Sequence, residues 1–220
     1  MIEAHVVNAR NKHLYERPFL TFLQRRREHC ALRNRRALLN RDGPERDHFD
    51  TPQTTYLLGM RGDQVISSAR LTPTTIANHM SGEFSDMCEH IRRPCHPDWA
   101  DLSRTFVLPE YRDAGTTDTF GQLLCAVMEY CLDEGITHTG GVMPQFLLKY
   151  WLDLGWNVIP AGLPRLLSGE WHLVAYVDVN ETSLRSARLH AGIDRPLMVR
   201  NGAQIPFIKL SRSPAMETVS

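Results

Sequence analysis

From Thr117 to Leu132 the apolar residues Phe120, Leu123, Leu124, Val127, Met128 and Cys131 fall at i, i+3, i+4, i+7, i+8 and i+11, which is one face of an α-helix. Thr116 or Thr117 supplies an N-cap and Gly135 a stop. The run Asp101 to Leu108 before it alternates as a strand does and is ended by Pro109. A second strand is expected from about Ile136 to Val142, followed by an amphipathic helix from Pro144 to Leu154 stopped by Gly155. A chain that interleaves strands and helices in this way folds as α/β.

The rest of the chain extends that pattern. Residues from about His13 to Leu39 read as one or two helices, with Pro18 near a helix start. Asp42 to Asp50 is an acidic loop. Thr54 to Met60 and Gln64 to Leu71 form a hairpin across Arg61-Gly62-Asp63, a tripeptide that turn chemistry explains without cell adhesion. Strands follow at Trp156 to Ile159 and Trp171 to Val179, and Asn180 opens a short helix. Helices, then a hairpin, then alternating strands and helices imply a mixed sheet with parallel and antiparallel pairs.

Composition narrows the function classes. The 220 residues suffice for one domain, expected over 1–210 with a loose tail at 211–220. No stretch approaches the roughly 20 apolar residues of a membrane span. The 25 Lys and Arg balance 25 Asp and Glu, so the chain as a whole is not built to coat nucleic acid. Basic residues do concentrate locally, at Arg25, Arg26, Arg27, Arg33, Arg35, Arg36 and Arg41, a face that fits an acidic partner or merely a solvated helix. Five unevenly spaced cysteines and a start without secretory character point to reduced thiols and a cytoplasmic protein.

Cys88, His90, Cys95 and His96 cluster, but in no usual zinc register, and no metal is expected. Dinucleotide, Walker and nucleophile-elbow motifs are absent. There remain charged residues beside strands: Asp47, Asp50, Arg70, Asp101 and Arg104, a set equally readable as structural ion pairs.

Glu45-Arg46-Asp47-His48-Phe49-Asp50, Arg70-Leu71-Thr72-Pro73-Thr74 and Asp101-Leu102-Ser103-Arg104-Thr105-Phe106 occur in this order, with Leu154-Gly155-Trp156 and Gly162-Leu163-Pro164 downstream. In these motifs the chain resembles the LuxI-type acyl-homoserine-lactone synthases over most of residues 13 to 185. The resemblance implies a GNAT-like three-layer α/β fold in a single domain, with a mixed central sheet splayed to admit a thioester. It further implies acyl transfer from acyl carrier protein or acyl-CoA to the amine of S-adenosylmethionine, which is a substrate and not a cofactor, with lactone formation and release of methylthioadenosine.

Under that resemblance each demand of the reaction falls on a residue. Asp101 stands where the family has Glu and is expected to take the amine proton, through a water because Asp is one methylene shorter. Backbone N–H groups around Thr105, Phe106 and Val107 are expected to stabilise the carbonyl oxygen. Arg70 and Arg104 would lock Asp47 and Asp50 and so shape the adenosylmethionine pocket, with Arg26 as a further contact. Ser103, Val142, Met143 and Phe146 would line the acyl chain. Arg25, Arg33 and Lys149 are candidate docking residues for an acidic donor.

The family's N-terminal Phe and Trp are replaced by about Cys30 and Arg36, which predicts a weaker or shifted adenosylmethionine pose, with Phe22 as a nearby aromatic. Two other readings stay open: a GNAT-like acyltransferase with another amine acceptor, its pyrophosphate turn at Pro109 to Gly115, or a non-catalytic relative that binds adenosylmethionine or a lactone.

Overall fold

The computed structural model describes residues 1–33, 49–82, 84–112 and 118–212. The chain runs β1 (Glu3–Val7), α1 (Glu16–Arg33), β2 (Thr55–Arg61), β3 (Gln64–Pro73), β4 (Trp99–Val107), α2 (Thr119–Asp133), β5 (His138–Pro144), α3 (Phe146–Asp153), β6 (Val158–Pro160), β7 (Arg165–Leu167), β8 (Glu170–Asp178), α4 (Glu181–Ala191), β9 (Met198–Val199) and α5 (Phe207–Arg212). The strands form one mixed sheet in the order β6-β8-β5-β4-β3-β2-β1-β9, with β7 added to β8.

Several expectations shift. A strand, not a helix, leads the chain: Ile2, Ala4 and Val6 are buried at period two, and β1 pairs antiparallel with β2 and parallel with β9. The cap of α2 is Asp118, whose carboxylate accepts the Gly121 N–H at 2.8 Å. Trp156 precedes β6 instead of starting it, because its indole is buried against Trp151 and donates to the Ser183 carbonyl at 3.0 Å. At the C-terminus α5 continues to Arg212, past the expected start of the tail.

The sheet lies between two layers. On one face α2, α3 and α4 pack Leu124, Met128, Trp151 and Leu184 against Leu173, Ala175 and Val177. On the other face α1 sets Phe19 on Tyr56 and Phe22 on Phe106, while the segment between β3 and β4 places Met80 and Met87 against Val174 and Tyr176. Apolar residues on both faces are what a covered central sheet requires.

Two irregularities open the sheet. β4 and β5 run parallel only from Trp99↔His138 to Asp101↔Gly140, after which β5 stays with β8 while β4 stays with β3. Between Ser68 and Arg70 the β3–β4 register slips, with two residues of β4, Arg104 and Thr105, set against Ala69 alone. Arg104 sits in the left-handed region at φ 51°, and its carbonyl accepts from the Ser68 hydroxyl at 3.1 Å. A bulge of this kind bends a strand away from its neighbour, and here it does so where the gap begins.

Candidate active site

A cavity of about 580 Å³ fills the gap between the diverging strands, within the size range of small-molecule sites. β4 contributes Leu102, Ser103, Arg104, Thr105, Phe106 and Val107, and β5 contributes Gly141, Val142, Met143 and Pro144. Beyond Asp101 no described strand pairs with the β5 side of β4, so the backbone polar groups on that edge face the cavity. Thr105, Phe106 and Val107 lie on this stretch of β4 and line the cavity.

The cavity crosses the sheet. On the α2 and α3 face its wall is apolar: Phe120, Leu124, Leu147 and Trp151. Leu124 and Trp151 are buried and mark the inner end, whereas Phe146 is 66 % exposed and marks the mouth. Phe146, Val142 and Met143 all line the cavity.

On the α1 face the wall is charged. Phe19, Phe22, Leu23 and Arg26 share one side of α1 at i, i+3, i+4 and i+7. That spacing decides the register of the arginine triplet: Arg26 is buried and reaches the cavity, Arg25 pairs with Glu110, and Arg27 is half-buried. Phe22 lies in the core beneath the Arg26 guanidinium and edge-on to Phe106, so it does not serve as a cavity wall.

Arg70 is fully buried and organises the neighbouring cluster. Its Nε donates to Ser103 Oγ at 3.0 Å, Nη1 to Asp50 Oδ1 at 2.9 Å, and Nη2 to His79 Nε2 at 2.9 Å. Asp50 also accepts from the Tyr56 hydroxyl, and Phe49 packs tilted against the His79 ring, with centroids 4.4 Å apart. The predicted pairing of Arg70 with Asp50 is therefore present. Asp47, Arg35, Arg36 and Arg41 lie outside the described residues, as do the side chains of Cys30 and Arg33. Arg104 lines the cavity.

Asp101 is 2 % exposed and does not itself line the cavity. Burial pushes its carboxyl up to about 7, opposed by the Arg70 charge and by the His79 backbone N–H that donates to it. Gly141 makes room for it: a Cβ there would overlap the carboxylate and lie 3.1 Å from the Leu102 carbonyl oxygen, and φ is +153°. Across Gly140 the register aligns Asp101 with Tyr176, and on the other side with Thr72. The Tyr176 and Thr72 hydroxyls are buried without a hydrogen-bond partner among the described residues.

Two of the expected docking residues form surface ion pairs. Lys149 pairs with Asp153 along α3 at 2.5 Å, and Arg25 is held by Glu110. The sequence reading missed His79, Tyr56, Tyr176, Arg112 and Trp151. Arg112 lines the cavity, donates to the Val107 carbonyl at 2.9 Å and covers Phe106. The only trace of the His79 turn in the sequence is Asn78 three residues before Ser81, a capping pair that the structure forms.

This geometry meets known proteins over nearly its whole length. The autoinducer synthase family model matches residues 23–186. An isovaleryl-homoserine lactone synthase of Bradyrhizobium diazoefficiens is 34% identical over 197 residues, covering 89% of this chain and 88% of that protein. The structure of BjaI, a CoA-dependent acyl-homoserine lactone synthase with SAM and isopentyl-CoA, matches with a TM-score of 0.87 and 30% identity over 96% of this chain and 99% of that one. The acyl-homoserine-lactone synthase LasI shares the fold at a TM-score of 0.72 and 19% identity, over 85% of this chain and 95% of that one. With the splayed strands, the acidic and arginine cluster and these matches taken together, the chain belongs to the autoinducer synthase family, as an acyl-homoserine-lactone synthase.

Proposed function

We propose that this enzyme acylates S-adenosylmethionine with a short acyl group delivered as a coenzyme A thioester, the two substrates meeting where the cavity crosses the sheet. The observation that carries this reading is the joining of a charged cluster and an apolar pocket through one residue, Ser103, which lines the cavity and accepts from Arg70. The amino acid part of adenosylmethionine belongs on the charged side and the acyl chain between β4, β5, α2 and α3. The preference for coenzyme A is supported by the donor in the BjaI structure and by the isovaleryl product named for the Bradyrhizobium relative. Trp151 at the inner end favours a short chain.

Asp101 acts as general base. A carboxylate raised to about 7 is suited to accept a proton at neutral pH, and its position behind the cavity wall supports transfer through a bridging water. The freed amine attacks the thioester carbonyl, the C–N bond forms, and the C–S bond breaks to release the thiol. Backbone N–H groups of β4 hold the developing oxyanion. The substrate carboxylate then displaces methylthioadenosine, whose sulfur keeps the electron pair as the lactone closes.

The purified protein is tested with S-adenosylmethionine and either isovaleryl-CoA, longer acyl-CoA thioesters or acyl carrier protein thioesters, and methylthioadenosine and lactone are measured by mass spectrometry. Both products are expected with the short acyl-CoA. Free thiol without methylthioadenosine would establish another acceptor, products from acyl carrier protein alone would overturn the donor assignment, and no product from any donor would favour a binding protein.

A further inference from the structure

One residue touches both halves of the charged site. His79 opens a short 3-10 turn, His79–Ser81, whose cap is fixed from both sides: Asn78 Oδ1 accepts the Ser81 N–H and Ser81 Oγ accepts the Asn78 N–H, each at 2.9 Å. Asn78 also donates to the Thr74 and Ile76 carbonyls, which ties the turn to the end of β3. The backbone N–H of His79 donates to Asp101, and its ring meets Arg70 and rests on Phe49.

The chemistry of the Arg70 contact fixes the state of the ring. A guanidinium has five donors and no acceptor, so at 2.9 Å Nε2 must present its lone pair and the proton must reside on Nδ1. A doubly protonated ring would set a second donor and a second positive charge against a fully buried arginine. The charged and titratable groups that face it include Arg70 on β3 and Asp101 on β4, and, through Arg70, Asp50 and the Tyr56 hydroxyl that donates to it.

We propose that His79 is the positioning residue that couples the Arg70 cluster to the general base, and that protonation of its ring disassembles the adenosylmethionine pocket. His79 thereby makes substrate affinity, and not only turnover, fall on acidification. A protonated ring must leave Arg70, which frees the guanidinium to turn away from Asp50 and Ser103. The same movement drags the turn whose N–H holds Asp101.

This inference rests on the charged side being the adenosylmethionine site, and the test separates the two. Binding of S-adenosylmethionine to the full chain, with no acyl donor, is measured by calorimetry at about pH 8 and about pH 5, the lower value set well below ordinary histidine titration because the ring faces a buried arginine. The wild type is expected to lose about tenfold in affinity, the amount that one hydrogen bond to a charged group supplies. His79→Leu is expected to bind weakly at both values, and His79→Gln, which keeps an acceptor that does not titrate, to recover most of that loss and to weaken less than about threefold on acidification. The proposal is overturned if His79→Gln weakens as much as the wild type, since Asp101 would then be the sensor, if the wild-type affinity does not change with pH, or if His79→Leu binds as the wild type does at about pH 8. A wild type that binds no adenosylmethionine at either value overturns the site reading as well.

Discussion

Arg70 and Ser103 face each other across β3 and β4, and the hydrogen bond between them, 3.0 Å from Nε to Oγ, is where the carboxylate cluster meets the cavity. Because Arg70 also holds Asp50 and His79, one side chain sets the geometry of the charged side of the cavity. Each donor is buried, so none can be replaced by water without a local rearrangement.

Arg70→Lys retains the charge but presents a single ammonium to three acceptors that lie in different directions. Loss of about 2 to 4 kcal/mol of transition-state stabilisation is expected, a fall of at least about thirtyfold in kcat/KM measured by methylthioadenosine release. Activity within threefold of the wild type would show that the fork geometry is not needed.

Asp101 links activity to pH and to stability. As the proposed base it must be ionised, so turnover should rise with pH through about 7. Its folded pKa lies above its ordinary 3.8, so the stability it confers is full below about pH 4 and is lost as pH rises through about 7, an effect of order 4 kcal/mol. Asp101→Asn should be inactive yet melt no lower than the wild type at about pH 8, whereas Asp101→Glu should stay active because its longer arm reaches toward the cavity. Thermal melts across that range together with single-turnover assays check both.

Gly141→Ala tests the space beside the base. The new methyl group would collide with the Asp101 carboxylate and impose an unfavourable positive φ. A fall of at least about tenfold in kcat is expected, with KM for adenosylmethionine much less affected. Equal kcat for the variant would show that the carboxylate tolerates displacement.

Trp151, buried at the inner end of the cavity, tests the proposed acyl pocket. Trp151→Leu should shift the preferred donor toward chains longer by a few carbons, with about tenfold or more change in the kcat/KM ratio of a long to a short acyl-CoA, at a stability cost of about 3 kcal/mol. An unchanged ratio would place the limit on chain length elsewhere.

Glu129 predicts a purely structural effect. It is buried on α2, accepts from Arg188 at 2.8 Å and from the Leu197 and Met198 N–H groups at 2.8 and 3.3 Å, and so anchors β9 and the chain around it. Glu129→Gln should destabilise by about 2 to 4 kcal/mol in denaturant melts and leave kcat/KM unchanged at a temperature where the variant is folded.

The sequence by itself determined the strong local elements. The period of the α2 residues, the hairpin turn at Gly62 and the cap at Asn180 are consequences of side-chain geometry within a few residues, and all three form. The acidic and arginine motifs were legible as well, because their residue types and order carry the family resemblance. β1 was not, since its five residues gain stability only by pairing with β2 and β9 from distant parts of the chain.

Tertiary structure alone decided which of Arg25, Arg26 and Arg27 enters the site, because burial of one helix face, and not residue type, makes that choice. It also decided that His79 stands between Arg70 and Asp101. Residues 70, 79 and 101 meet only when β3 and β4 pair and the segment between them folds back over the sheet, so no spacing in the sequence announces the contact. The opening between β4 and β5 is of the same kind: it follows from two strands keeping different partners, a property of the sheet that neither strand carries alone.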